Sequence, residues 1–118
     1  MDFQEIICKQ RSFDLEHGFR ITRSPMIAKY NQVSHELIGL IGEIGELANI
    51  VKKLNVLIDN GMDINIETVS EKEANIHEEL VDVFIYLIRI SDIFELDLEK
   101  EYLKKMIKNI EKYRDFHE

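Results

Sequence analysis

Apolar residues recur along much of this chain at helical spacing. Between Ile27 and Ile58 they fall at Leu37, Leu40, Ile41, Ile44, Leu47, Ala48, Val51 and Leu54. Most of these are three or four residues apart, which stacks the side chains on one face of an α-helix. A second set, Ile76, Leu80, Val83, Phe84, Leu87, Ile90 and Phe94, does the same. Four helices are predicted. The first, weakly periodic, runs from about Phe3 to Glu16 and stops near Gly18. The second covers about Ile27 to Ile58, between a Ser24-Pro25 turn or helix start and an Asn60-Gly61 stop. The third begins near Ser70, where Ser70-x-x-Glu73 has the form of a capping box, and reaches about Phe94. The fourth follows Asp97 as N-cap, carries Glu99 and Glu101 in its first turn, and ends near Phe116. The stretch Asp63–Val69 contains β-prone Ile64, Ile66 and Val69 but is short, and it reads as a loop.

Amphipathic helices with short connections imply an all-α four-helix bundle, and 118 residues with one proline and five glycines fit a single domain, 1–118, of that kind. Such a chain buries only a modest core, so oligomerisation would support it. The formal charge of −8 argues against binding a nucleic-acid backbone, which needs a basic stripe. No apolar run approaches the ~20 residues that span a bilayer. The N-terminus has no basic-then-apolar leader, and a single cysteine, Cys8, offers no internal disulfide. The expectation is a cytoplasmic protein with no nucleic-acid or membrane partner.

The informative residues are acids that intrude on the apolar faces. At ~100° per residue, Glu43 points between Ile50 and Leu54, inside the apolar arc of the second helix, and Glu46 lies at its edge beside Leu57. On the third helix Glu79 points between Tyr86 and Ile90, again inside the arc, and Asp82 lies at the edge beside Ile93. Each pair is spaced i, i+3. Antiparallel packing of the two helices would gather four carboxylates in a partly dry space. Unpaired negative charges there are costly, so a cation is required. Carboxylate oxygen suits a hard divalent ion, magnesium above all where phosphates add ligands. Four histidines and one cysteine argue against zinc. A single i, i+3 acidic pair reads more simply as a solvated face. Two pairs, both set within apolar arcs, favour a metal site. A di-iron bundle needs Glu-x-x-His, which this chain lacks.

The segments Gly42-Glu43-Ile44-Gly45-Glu46-Leu47 and Glu78-Glu79-Leu80-Val81-Asp82-Val83 resemble the motif of the MazG-like all-α nucleoside triphosphate pyrophosphohydrolases. That group includes dimeric dUTPases, dCTP pyrophosphatases and phosphoribosyl-ATP pyrophosphohydrolases. The likeness covers about Lys29–Phe116, with a somewhat long spacer between Glu46 and Glu79 that suggests an insertion near Asp59–Val69. A later Lys-x-x-x-Asn element is matched by Lys105 and Asn109, with Arg114 beyond. The resemblance implies magnesium, with manganese as its substitute, held by Glu43, Glu46, Glu79 and Asp82. It implies hydrolysis of a nucleoside triphosphate at the α–β bond, and a homodimer or homotetramer.

Within that reading Glu46 is the candidate base, with Glu43, Glu79 and Asp82 as ligands, and the four roles could be exchanged. Lys105, Asn109 and Lys112 form one strip of the fourth helix that could bind phosphate, Asn109 lying within an apolar arc of Leu98, Tyr102, Tyr113 and Phe116. A solvated lysine face with one satisfied amide is the plainer account. His35, on the Glu46 side of its helix, could touch base or ribose, or be a surface histidine. Gly39, Gly42 and Gly45 each weaken a helix, which favours close approach of another helix or of substrate over a local interruption. Phe13, Phe19 and Tyr30 suit stacking on a nucleobase less well than core or subunit contacts. The rival function is a non-catalytic helical metal- or nucleotide-binding or interaction module, which gains nothing from magnesium.

Overall fold

The computed structural model describes residues 1–61 and 65–116. Four helices form: α1 (Phe3–Glu16), α2 (Met26–Asp59), α3 (Ile66–Ile93) and α4 (Leu98–Lys112), with no strand among the described residues. Side-chain caps start three of them. Asp2 accepts from the Glu5 amide at 2.9 Å, Asn65 from the Glu67 amide at 2.9 Å, and Asp97 from the Lys100 amide at 3.1 Å. Proline at position 25 precedes α2, which has no side-chain cap.

Two boundaries differ from expectation. Helix α3 starts at Ile66, so Ser70 and Glu73 lie inside it and form no capping box. Asn65 offers an equally good cap, and Ile66–Val69 contains no breaker; β-branched residues cost a helix only a few tenths of a kcal/mol each. Of the expected 63–69 loop, residues 66–69 are therefore helical, while 62–64 lie outside the described residues. Helix α4 ends at Lys112, short of Phe116. Its ladder tightens to three-residue steps beyond Tyr113, where the Phe116 amide donates to the Tyr113 carbonyl at 3.0 Å.

Helices α2 and α3 pack closely as an antiparallel pair. Position 39 of α2 meets Tyr86, and 43 meets 79, so numbers fall on α3 as they rise on α2. Helix α1 lies against α3 through a polar latch. Arg89 donates through Nε to Asp14 Oδ2 at 3.1 Å and through Nη2 to Oδ1 at 3.0 Å, and Gln10 Nε2 donates to the same Oδ1 at 2.9 Å. The Phe19 ring sits 4.3 Å from this guanidinium. Chain between α1 and α2 is tied down by Gln32, which accepts from the Thr22 amide and donates to the Arg20 carbonyl.

The buried apolar core is small: Ile7, Val33, Ile88 and Ile93. Leu37, Ile41, Ile44 and Val51 of α2, expected in the core, are exposed, as are Leu80 and Leu87 of α3. Helix α4 touches the rest chiefly at its start, where Gln4 Nε2 donates to Glu99 at 2.8 Å. Its apolar face stands uncovered, with Ile107 70% and Ile110 66% exposed. One chain therefore covers only part of the apolar surface its helices present.

Candidate metal centre

Glu43 and Glu46 leave α2 three residues apart, and Glu79 and Asp82 leave α3 in the same way. The antiparallel register brings them together across the seam. Ligand oxygens of Glu43, Glu79 and Asp82 all lie within 4.8 Å of one another, and each of these residues is half-buried. Glu46 is exposed, outside this tight trio but close enough to act on Glu79. Burial follows the helical wheel at three of the four positions: Glu43 and Glu79, within the arcs, are half-buried and Glu46, at the edge, is open, but Asp82, also at an edge, is half-buried with the trio.

The cluster is electrostatically unfinished. Glu43 Oε2 and Glu79 Oε2 are buried without a hydrogen-bond donor. Two ionised carboxylates can only accept, so neither can satisfy the other unless a proton sits between them. That is why the Glu79 carboxyl is pushed up from 4.5 to about 7: a hydrogen bond with the Glu43 side chain favours its protonated form, followed by desolvation and by repulsion from Glu46 and Glu43. A divalent cation would replace that proton and satisfy both oxygens at once. The donor set is all carboxylate, which suits a hard ion.

On the α2 side the approach is open. A methyl group on Gly42 or Gly45 would meet nothing within 4 Å, so within this chain neither glycine receives another helix and the space over both is open. Gly39 is different. A Cβ there would stand 2.5–2.6 Å from the tip of the Tyr86 ring.

Other candidate residues lie apart from the carboxylates. His35 is exposed. Lys105 and Lys112 are exposed and Asn109 is half-buried, so the apolar arc around Asn109 does not enclose it. That arc lacks a covering partner, with Tyr102 and Phe116 both exposed. Among the described residues, no hydrogen bond or ion pair links the α4 strip to Glu43, Glu79 or Asp82. Arg114 pairs with Glu111. Phe13 stacks on His17, Phe19 on Arg89, and Tyr30 edges onto Phe94.

Sequence reasoning passed over Glu36, about two turns before Glu43 on α2. Burial pushes its carboxyl above the ordinary range, against the pull of Arg89. It also passed over Asp14 and Arg89, whose side chains are 5% and 12% exposed and which hold each other across 75 positions of chain. A polar pair that distant has no local signature.

Fold and site together define an all-α protein with an interhelical carboxylate site suited to a divalent cation. The chain belongs to the family of the MazG nucleotide pyrophosphohydrolase domain, whose model matches residues 31–117. The family assignment supports a nucleotide pyrophosphohydrolase, a hydrolase acting on acid anhydrides. The chain matches no curated protein and no solved structure. Helix α1 lies outside the matched region.

Proposed function

We propose that this protein hydrolyses a nucleoside triphosphate at the α–β bond with magnesium, releasing a nucleoside monophosphate and pyrophosphate, in nucleotide-pool sanitation or dNTP control. The observation that carries this reading is the pair of buried Glu43 and Glu79 oxygens without a donor, with Asp82 beside them. An interaction module gains nothing from such an arrangement.

Glu43, Glu79 and Asp82 would hold the cation, and Glu46 would border it. Magnesium bound there orients the phosphates, offsets their charge and makes water more acidic. Glu46 is exposed and free of the tight trio, which suits a base that accepts a proton from the attacking water. Lys105, Asn109 and Lys112 are the candidate phosphate contacts, and His35 the candidate base or ribose contact. Assembly would offer a way to recruit them, because the apolar face of α4 stands exposed.

A homo-oligomer is part of the proposal. The chain exposes 9282 Å², about 2,600 Å² more than expected for a compact monomer of 13.9 kDa. Obligate dimers bury roughly 1,000–2,500 Å² per partner. A second copy laid over the exposed faces of α2 and α4 accounts for that excess.

The test is an assay of pyrophosphate and monophosphate release with magnesium, over a panel of canonical and modified nucleoside triphosphates. Folded protein that turns over none of them would defeat the proposal. Glu79→Gln keeps the shape but cannot carry the charge. It should lose essentially all activity with its helical circular dichroism intact, and full activity in that variant would eliminate this site.

A further inference from the structure

In the layer of the α2–α3 seam next to the carboxylates, Gly39 faces Tyr86. Gly39 lies one turn from Glu43 on the same face of α2, and Tyr86 one turn from Asp82 on α3. A Cβ at position 39 would stand 2.5 Å from Tyr86 Cε1 and 2.6 Å from Cζ and Oη, far inside ordinary contact. The ring tip therefore occupies space that only glycine leaves open. Glycine weakens a helix interior, and Gly42 and Gly45 on the same helix would accept a methyl freely. Position 39 is the one of the three where the missing side chain is used.

Tyr86 also has a fixed neighbour. The Arg89 guanidinium, which Asp14 grips with two hydrogen bonds, lies 5.5 Å from the centroid of its ring. A methyl at 39 must either move the phenol tip or part the two helices. Parting α2 and α3 would lengthen the gap between Glu43 and the Glu79–Asp82 pair.

We infer that Gly39 and Tyr86 act together as the spacer that sets the separation of the metal-binding carboxylates, Tyr86 as a positioning residue and Gly39 as the groove that receives it. This rests on the reading of Glu43, Glu79 and Asp82 as a cation site. The bulk of the ring, rather than any hydrogen bond of its hydroxyl, sets the spacing.

Magnesium binding by calorimetry, together with melting of the metal-free protein, tests this. Gly39→Ala should weaken magnesium about tenfold, the scale seen when groups that orient metal ligands are lost. Tyr86→Ala, which removes the spacer, should weaken it comparably. The Gly39→Ala/Tyr86→Ala double variant should recover to within about threefold of the parent, because the methyl refills part of the lost ring. Tyr86→Phe should bind magnesium as the parent does. Should Gly39→Ala fail to fold, the contrast of Tyr86→Ala with Tyr86→Phe still decides. Parent-like affinity in Tyr86→Ala, or an equal loss in Tyr86→Phe, overturns the spacer. Losses in the two single variants that add in the double overturn it as well. A parent protein that binds neither magnesium nor manganese overturns the cation site itself, an outcome distinct from failure of the spacer alone.

Discussion

Glu79 concentrates the chemistry of the site in one side chain. Its carboxyl holds a proton up to about pH 7 in the folded protein, against an ordinary value of 4.5. The folded state therefore binds this proton more tightly than the unfolded chain does. The resulting stabilisation is fully present below 4.5 and is lost as pH rises through about 7. Metal-free protein should accordingly lose melting temperature across that window more steeply than Glu79→Gln, whose side chain cannot titrate. Magnesium, which competes with the proton, should raise the melting temperature more at pH 8 than at pH 5 (two trial values on either side of the window). Identical pH profiles for parent and variant would refute the shared-proton account. The acidic positions themselves were readable in the sequence, because their angle around each helix is fixed by residue number. Glu46 at the edge and Glu43 within the arc came out as the wheel requires. The raised affinity of Glu79 for a proton was not readable, since it depends on how near Glu43 comes across the seam.

Among the helices, α1 shows how a polar latch hides from periodicity. Its buried positions are Ile7 and Asp14, two turns apart on one face. A reading that counts only apolar residues sees half of that face, so the segment looks weakly amphipathic. The latch is strong because it is dry. Removing Asp14 leaves the Arg89 guanidinium buried without its hydrogen-bonded carboxylate, and such losses run at about 3 kcal/mol. Asp14→Ala should therefore lower the free energy of urea unfolding by about 3 kcal/mol. Proteolysis within α1 should become faster as the helix leaves α3. An unchanged unfolding midpoint would mean the pair is not holding α1 down. At α3 the sequence points to Ser70 as the cap, whereas the helix starts behind Asn65. Residues 66–69 contain no breaker, so the helix runs back to Asn65, whose side chain accepts from the Glu67 amide.

The chain as a whole is too extended for its size. Its radius of gyration is 18.6 Å, where a compact chain of this length would have about 13.5 Å. Among the described residues four apolar ones are buried, while apolar side chains along α2, α3 and α4 face outward. Sedimentation equilibrium should therefore give a multiple of 13.9 kDa. Ile107→Glu together with Ile110→Glu, on the uncovered face of α4, should shift the protein toward monomer and lower its stability. A monomeric parent would require another cover for that face. No helix among the described residues is long and apolar enough to cross a membrane.

The sequence by itself determined four helices, three of their starts to within a residue, and the angular placement of two acidic pairs within apolar faces. These follow from the 3.6-residue turn and local capping, which act over a few positions. Tertiary structure alone decided that Glu43, Glu79 and Asp82 meet and that Glu46 stays outside their trio. It decided that Gly39 rather than Gly42 or Gly45 receives a ring, that Asp14 grips Arg89, and that much of the apolar face is left uncovered. A helical wheel gives direction around an axis. It does not give the axial offset, the distance or the neighbour on which a contact between helices depends.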